Sequence, residues 1–129
     1  MNTIMTSIAD LPHVDPQTAQ FAVDFCKAKL GAYELKKVVL FGSRVDRRKT
    51  PRSNSDHDVM AVVADTAPDD IRTGGSLHRQ IFDALETARK ERKLGEIDLM
   101  VCRESRFMDA ESGTFPFDAR MFGREVFAG

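Results

Sequence analysis

The sequence predicts an α/β fold, a small mixed sheet packed with helices, and three observations lead there. Short apolar, β-branched runs stand at 35–41, 56–64 and 97–102. Segments of helical periodicity precede the first run and separate the second from the third. Strands alternating with helices bury their apolar faces as layers around one sheet, an α/β sandwich. At 129 residues the chain fits a single domain, long enough to bury a core without disulfides or metals as staples.

Taken in order, residues 1–14 read as a flexible lead-in and 15–129 as the domain. Asp15-Pro16 is an N-cap followed by proline in the first helical position. Phe21, Ala22, Phe25 and Cys26 then recur at helical spacing and Gly31 marks the stop, so a helix spans 16–30. Leu35–Phe41 (LKKVVLF) is a buried strand that runs into Gly42. Residues 43–55 are polar, basic and broken by Pro51, a loop with room for one helical turn after Ser43. Residues 56–64 form a second strand. Beyond Pro68, Gly74 and Gly75, Ser76 is placed to cap a long helix with Leu77, Ile81, Ala84, Leu85 and Ala88 on one face. Arg89, Lys90, Arg92 and Lys93 complement the dipole at its end, and Gly95 stops it. The third strand is 97–102, and the tail from 107 holds a short helix and an extended piece near 125–127.

Composition removes several classes of function. The net charge is -1, which gives no global electrostatic case for nucleic acid or an anionic membrane. No apolar run approaches the length of a membrane span. The N-terminus has neither the basic nor the apolar region of a signal peptide. Cys26 and Cys102 match no metal spacing and no disulfide framework, which fits a reducing, cytoplasmic setting.

Three features carry chemistry. Asp56 and Asp58 flank His57 at the start of a strand, so the two carboxylates share one face and His57 takes the other. Their Cα atoms lie about 6.6 Å apart, close enough to lean over one small ion of the Mg²⁺ type. Alone, the pattern fits strand-opening aspartates beside a turn equally well. Gly42-Ser43 sits where the first strand leaves the sheet; glycine admits a phosphate close to the backbone, and hydroxyl and N–H groups bind its oxygens. A plain strand exit reads the same way. Asp98 interrupts an apolar strand, where a charge needs a cationic partner or a bound metal. His57, facing away from the acids, reads as packing rather than catalysis.

The combination is more specific than its parts. VVLFGSR (38–44), twelve residues between Ser43 and Asp56, SDHDVMAVV (55–63), a helix, and EIDLMVC (96–102) follow one another. This arrangement resembles the nucleotidyltransferase superfamily of DNA polymerase beta, and most closely its minimal members, the MNT domains found beside HEPN proteins. The resemblance covers roughly 16–104, and more loosely ARMFGREVF (119–127).

The resemblance implies the fold of that superfamily and its two-metal displacement at the α-phosphorus of a nucleoside triphosphate, ATP or another. Asp56, Asp58 and Asp98 would be the catalytic and metal-binding residues, holding two Mg²⁺ ions. Gly42, Ser43 and Arg44 would bind the β- and γ-phosphates. The implied reaction moves a nucleoside monophosphate, AMP from ATP, onto a hydroxyl. The implied partner is a HEPN-type protein, as toxin to this chain's antitoxin; the alternative is a second copy of the chain, and neither nucleic acid nor membrane is expected. A chain of this size has residues for one substrate site only, which points to an acceptor brought by another molecule. One departure stands out: Arg44-Val45-Asp46-Arg47 lacks the glycine that such families often place shortly after Gly-Ser. Of the basic loop residues Arg44, Arg47, Arg48, Lys49 and Arg52, most read as a solvated surface, with Arg44 best placed for phosphate. Two other functions stay open: an antitoxin that acts by binding alone, and a small-molecule nucleotidyltransferase of the aminoglycoside kind.

Overall fold

Asp15 starts helix α1 (Pro16–Leu30) as an N-cap, its side chain accepting the Thr18 N–H at 3.3 Å with Pro16 in the first turn. The computed structural model describes residues 5–52 and 54–129; residues 1–4 of the expected lead-in and residue 53 of the basic loop lie outside them. Strands β1 (Leu35–Phe41), β2 (His57–Val63), β3 (Ile97–Arg103) and β4 (Arg124–Ala128) form one sheet in the order β3-β2-β1-β4. β1 pairs antiparallel with β2 and with β4, and β2 pairs parallel with β3. The parallel pair needs a crossover, and helix α2 (Ser76–Glu91) supplies it.

Both faces of the sheet are covered, which is why its central strands read as continuous apolar runs rather than alternating ones. One face carries Val38, Leu40, Val59, Ala61, Leu99 and Val101 against Ala22, Cys26 and Leu30 of α1 and Ile81 and Leu85 of α2. The other carries Val39, Phe41, Met60, Val62, Met100 and Cys102 against helices α3 (Glu104–Met108) and α4 (Phe115–Phe122), through Phe107 and Ala119. Both cysteines are buried and free.

The tail is richer than its sequence suggests, with two helices where one was expected, and β4 closing the edge of β1. Thr114 caps α4 through the Phe117 N–H (3.4 Å), and Lys37 meets Glu125 at 3.2 Å across the β1–β4 pair. Residues 5–14 lie against the domain. The Thr6 N–H donates to the Glu125 carbonyl at 2.8 Å on the outer side of β4, Val14 is buried, and Ile8 and Leu11 pack on the core.

Helix α2 departs from expectation at both ends. Gly75, not Ser76, is its N-cap; Ser76 opens the first turn and its hydroxyl donates to Asp70 at 2.7 Å. A side chain at position 75 would overlap the Asp70 backbone, which explains the glycine. The helix closes at Glu91 rather than running to Gly95, because Lys93 takes a left-handed φ of 55°. The outer edge of β3 is satisfied without another strand: the buried His78 bonds the Leu99 carbonyl at 2.8 Å, and Thr73 exchanges bonds with Val101. No described helix is long and apolar enough to cross a membrane.

Candidate active site

The register of three strands assembles the site. Parallel pairing of β2 with β3 sets His57 opposite Ile97 and Asp58 opposite Asp98. Antiparallel pairing of β1 with β2 sets Phe41 opposite Asp58. The backbone therefore leaves β1 at Gly42 beside the Asp58 side chain, with Asp98 on the next strand about 4.8 Å away. Asp58 and Asp98 lie on the face that α3 and α4 cover, in line with Met60 and Met100, at the open end of that layer.

Gly42 is required twice over. Its φ is 80°, in the left-handed region that side chains resist. A Cβ at this position would also overlap the Asp58 carboxylate. The Val45 and Asp46 N–H groups turn back to the Gly42 carbonyl at 3.1 and 2.8 Å, giving the single turn expected after Ser43. The Ser43 hydroxyl and N–H have no partner among the described residues, so both donors are available to a ligand.

The acids repel one another. Burial first, then the charges of Asp98 and Asp56, lifts the half-buried Asp58 carboxyl from its ordinary 3.8 to about 6. Asp98 is raised too, by burial and then by Asp56. Such pairs hold a proton or a cation in preference to two bare charges. Lys49 is the cation whose field reaches Asp58 and partly offsets this.

A fourth carboxylate belongs to the cluster. Glu96-Ile97-Asp98 repeats the acid-x-acid pattern of Asp56-His57-Asp58, and the parallel register brings Glu96 alongside Asp56. A hydrogen bond with Asp56 is the main reason the Glu96 carboxyl is raised. Arg89, held by Glu86 at 2.9 Å, stands 4.0 Å from Glu96. Glu96 carries no role in the sequence reading because it lies just before the strand, although its spacing from Asp98 is the signal. Among the described residues, no three His, Cys, Asp or Glu side chains converge closely enough to hold an ion together. The neighbouring pair Asp58 and Asp98 still offers what Mg²⁺ takes from a protein, one or two carboxylates with phosphate and water completing the shell. Asp56 is exposed at the rim, and its charge acts on both.

His57 packs as its position on the strand requires. It is buried, accepts the Asp15 N–H on Nε2 at 3.1 Å and donates from Nδ1 to the Glu96 carbonyl at 3.3 Å. Burial, with the Arg44 charge, holds its pKa below the ordinary value, so the neutral ring ties α1 to the heads of β2 and β3.

Arg44 lies one residue past Ser43 and braces the loop. Its guanidinium donates to the Ser55 carbonyl at 3.0 and 2.8 Å and to the His13 carbonyl at 2.9 Å. In this stretch without a second glycine, Asp46 is buried. Its carboxylate takes the Arg48 fork at 2.7 Å, which holds the acid down at about 2. Arg48 in turn stacks on Phe122 of α4 at 3.4 Å. The loop is thus fixed by side chains at both ends rather than by glycine.

No protein-family model matches the chain, and no curated protein matches it either. Solved structures do. A chain in the crystal structure of a toxin–antitoxin with AMP-PNP is 18% identical with a TM-score of 0.54, over 85% of this chain and 73% of that one. A chain of the toxin–antitoxin MntA-HepT is 16% identical with a TM-score of 0.54, over 89% and 74%. A mutant toxin–antitoxin of the same kind is 16% identical with a TM-score of 0.51, over 85% and 73%. At these identities the likeness establishes the fold alone, an α/β fold with a small mixed sheet packed with helices, as the sequence leads one to expect.

Proposed function

We propose that the chain is a Mg²⁺-dependent nucleotidyltransferase that moves AMP from ATP to a hydroxyl of a partner protein, as the antitoxin member of a toxin–antitoxin pair. One observation carries the reading: Asp58 and Asp98 stand side by side on parallel strands, and the left-handed Gly42 turn is packed against the Asp58 carboxylate. Acid pair and phosphate-accepting turn are thereby one constellation. Structural neighbours support the setting. One was crystallised with AMP-PNP. Another is a mutant in which two aspartates, two positions apart, are changed to glutamate; Asp56 and Asp58 have that spacing. A HEPN-type toxin remains the partner that the family resemblance implies.

Asp58 and Asp98, with Asp56 at the rim, would hold the metal. When bound, Mg²⁺ neutralises triphosphate oxygens and acidifies the attacking hydroxyl. The Ser43 hydroxyl and N–H would take oxygens of the β- and γ-phosphates, with Lys49 adding positive charge. Arg44 would act by holding the Ser55 end of the loop. A carboxylate beside the acceptor hydroxyl would take its proton as the new P–O bond forms and pyrophosphate leaves. Phosphoryl-type transfer rests on positioning and electrostatics of this kind.

The test is to incubate the chain with α-labelled ATP, Mg²⁺ and the protein encoded beside it. Label on that protein, lost with Asp98→Asn, is the expected result; no label with any divalent metal overturns the reading. A second reading, neutralisation by binding alone, is favoured by the side-chain-braced loop. It requires Asp56→Asn and Asp58→Asn chains to neutralise the partner as well as wild type.

A further inference from the structure

A second cleft, of about 370 Å³, opens between β3 and the start of α4 on the face that carries Asp58 and Asp98. Its floor includes Met60 and Met100, each two residues beyond an acid on the same side of its strand. The floor thus begins about 6.6 Å from the acid pair. Phe115 forms a wall; it is 60% exposed, an unusual place for a large aromatic side chain. Arg72, Arg103 and Arg106 make the rim, and among the described residues no carboxylate lines the cleft. Arg72 and Arg103 share one acid, Asp69, at 3.4 and 3.6 Å. Arg106 has no ion-pair partner among the described residues. Arg103 is held in place by the Ala67 carbonyl at 3.1 and 2.7 Å. In a chain of net charge -1, the cleft is a local excess of positive charge around an apolar floor.

We propose that this cleft docks the acceptor protein through an acidic segment of it, with one apolar side chain inserted over Met60, Met100 and Phe115. The proposal rests on the transfer reading above, because a protein acceptor must approach the acid pair at the open end of this layer, beside the cleft. Guanidinium forks bind carboxylates two bonds at a time, and a cleft of this volume takes one large side chain. Free triphosphate is already matched by Gly42 and Ser43. A nucleic acid would need a positive surface longer than one cleft. The docked segment would then deliver its hydroxyl beside Asp58 and Asp98.

Fluorescence anisotropy of labelled pentapeptides on the full chain tests this. The probes are four glutamates around a central phenylalanine, the same with lysines for glutamates, the same with glycine at the centre, and a single-stranded RNA decamer. The acidic phenylalanine peptide should bind best, weaken with added salt, and lose at least about tenfold in affinity with Arg106→Glu. Arg106 is exposed, so this variant should keep its fold; a thermal melt checks that, and Phe115→Ala serves as an independent second variant. Equal binding of the lysine peptide, indifference to both substitutions, or no binding at millimolar peptide overturns the proposal. RNA binding that exceeds peptide binding overturns it in favour of nucleic acid. The Mg²⁺-ATP thermal shift is recorded on the same samples. Its absence with peptide binding intact defeats the transfer reading, and its presence without peptide binding defeats the docking proposal alone.

Discussion

Replacing Asp58 by asparagine keeps the shape of the side chain and removes one of the charges crowded at the head of β2. Burial and the neighbouring acids raise the Asp58 carboxyl from 3.8 to about 6 in the folded chain. A folded-state value above the unfolded one means that ionisation opposes folding. Stability is therefore greatest while Asp58 is protonated, falls as pH rises from about 4 through 6, and shows the full deficit at pH 7. At ~1.4 kcal/mol per pH unit the rise corresponds to ~3 kcal/mol. Asp58 is only half-buried, and solvent screening reduces this to on the order of 1–2 kcal/mol. Asparagine escapes the deficit, so Asp58→Asn should raise the metal-free Tm by roughly 3–8 °C at neutral pH. At about pH 4 the gain should vanish, because the wild-type acid is already neutral. Scanning calorimetry in chelator at both pH values measures it. A variant less stable than wild type at both would show that Asp58 is a structural acid and that the crowding argument is wrong.

Gly42→Ala should cost ~1–2 kcal/mol for its left-handed backbone, displace Asp58 and abolish Mg²⁺-nucleotide binding; nucleotide affinity unchanged in a titration would remove Gly42 from the site. His57→Phe should leave the Asp15 N–H without its acceptor and lower stability by ~1–3 kcal/mol. Urea unfolding measures that loss, and an unchanged midpoint would mean that His57 is not the tie between α1 and the strands. Mg²⁺ must displace a proton from Asp58, so Mg²⁺ affinity should climb as pH rises toward about 6 and level off above it. Titrations across that range that show no slope would separate the metal from this carboxylate.

Much of this architecture was legible because local signals agreed with tertiary ones. Asp15-Pro16 and Gly31 bound α1, and the three apolar runs became β1, β2 and β3 within a residue or so at each end. The tail was harder. Phe115-Pro116-Phe117 and Phe107 have no clear period, and the two helices form because Phe107 and Ala119 cover Val39, Met60 and Met100 on a face that exists only once the sheet has formed. The acids could be picked out singly, since a charge at the head of an apolar strand stands out. That Asp58 faces Asp98, and that Glu96 joins Asp56, depends on a parallel register that no local pattern encodes. Arg44 shows the limit from the other side: its place after Ser43 suggested phosphate, whereas its bonds to Ser55 and His13 come from how the loop folds back on the lead-in.

The central claim is that Asp58, Asp98 and the Gly42-Ser43 turn together bind a metal–triphosphate. Isothermal titration of the chain with a non-hydrolysable ATP analogue, in Mg²⁺ and in chelator, tests it most directly. The account predicts one saturable site in Mg²⁺, absent in chelator and absent with Asp98→Asn. Binding that is unchanged in chelator, or that survives Asp98→Asn undiminished, would contradict it.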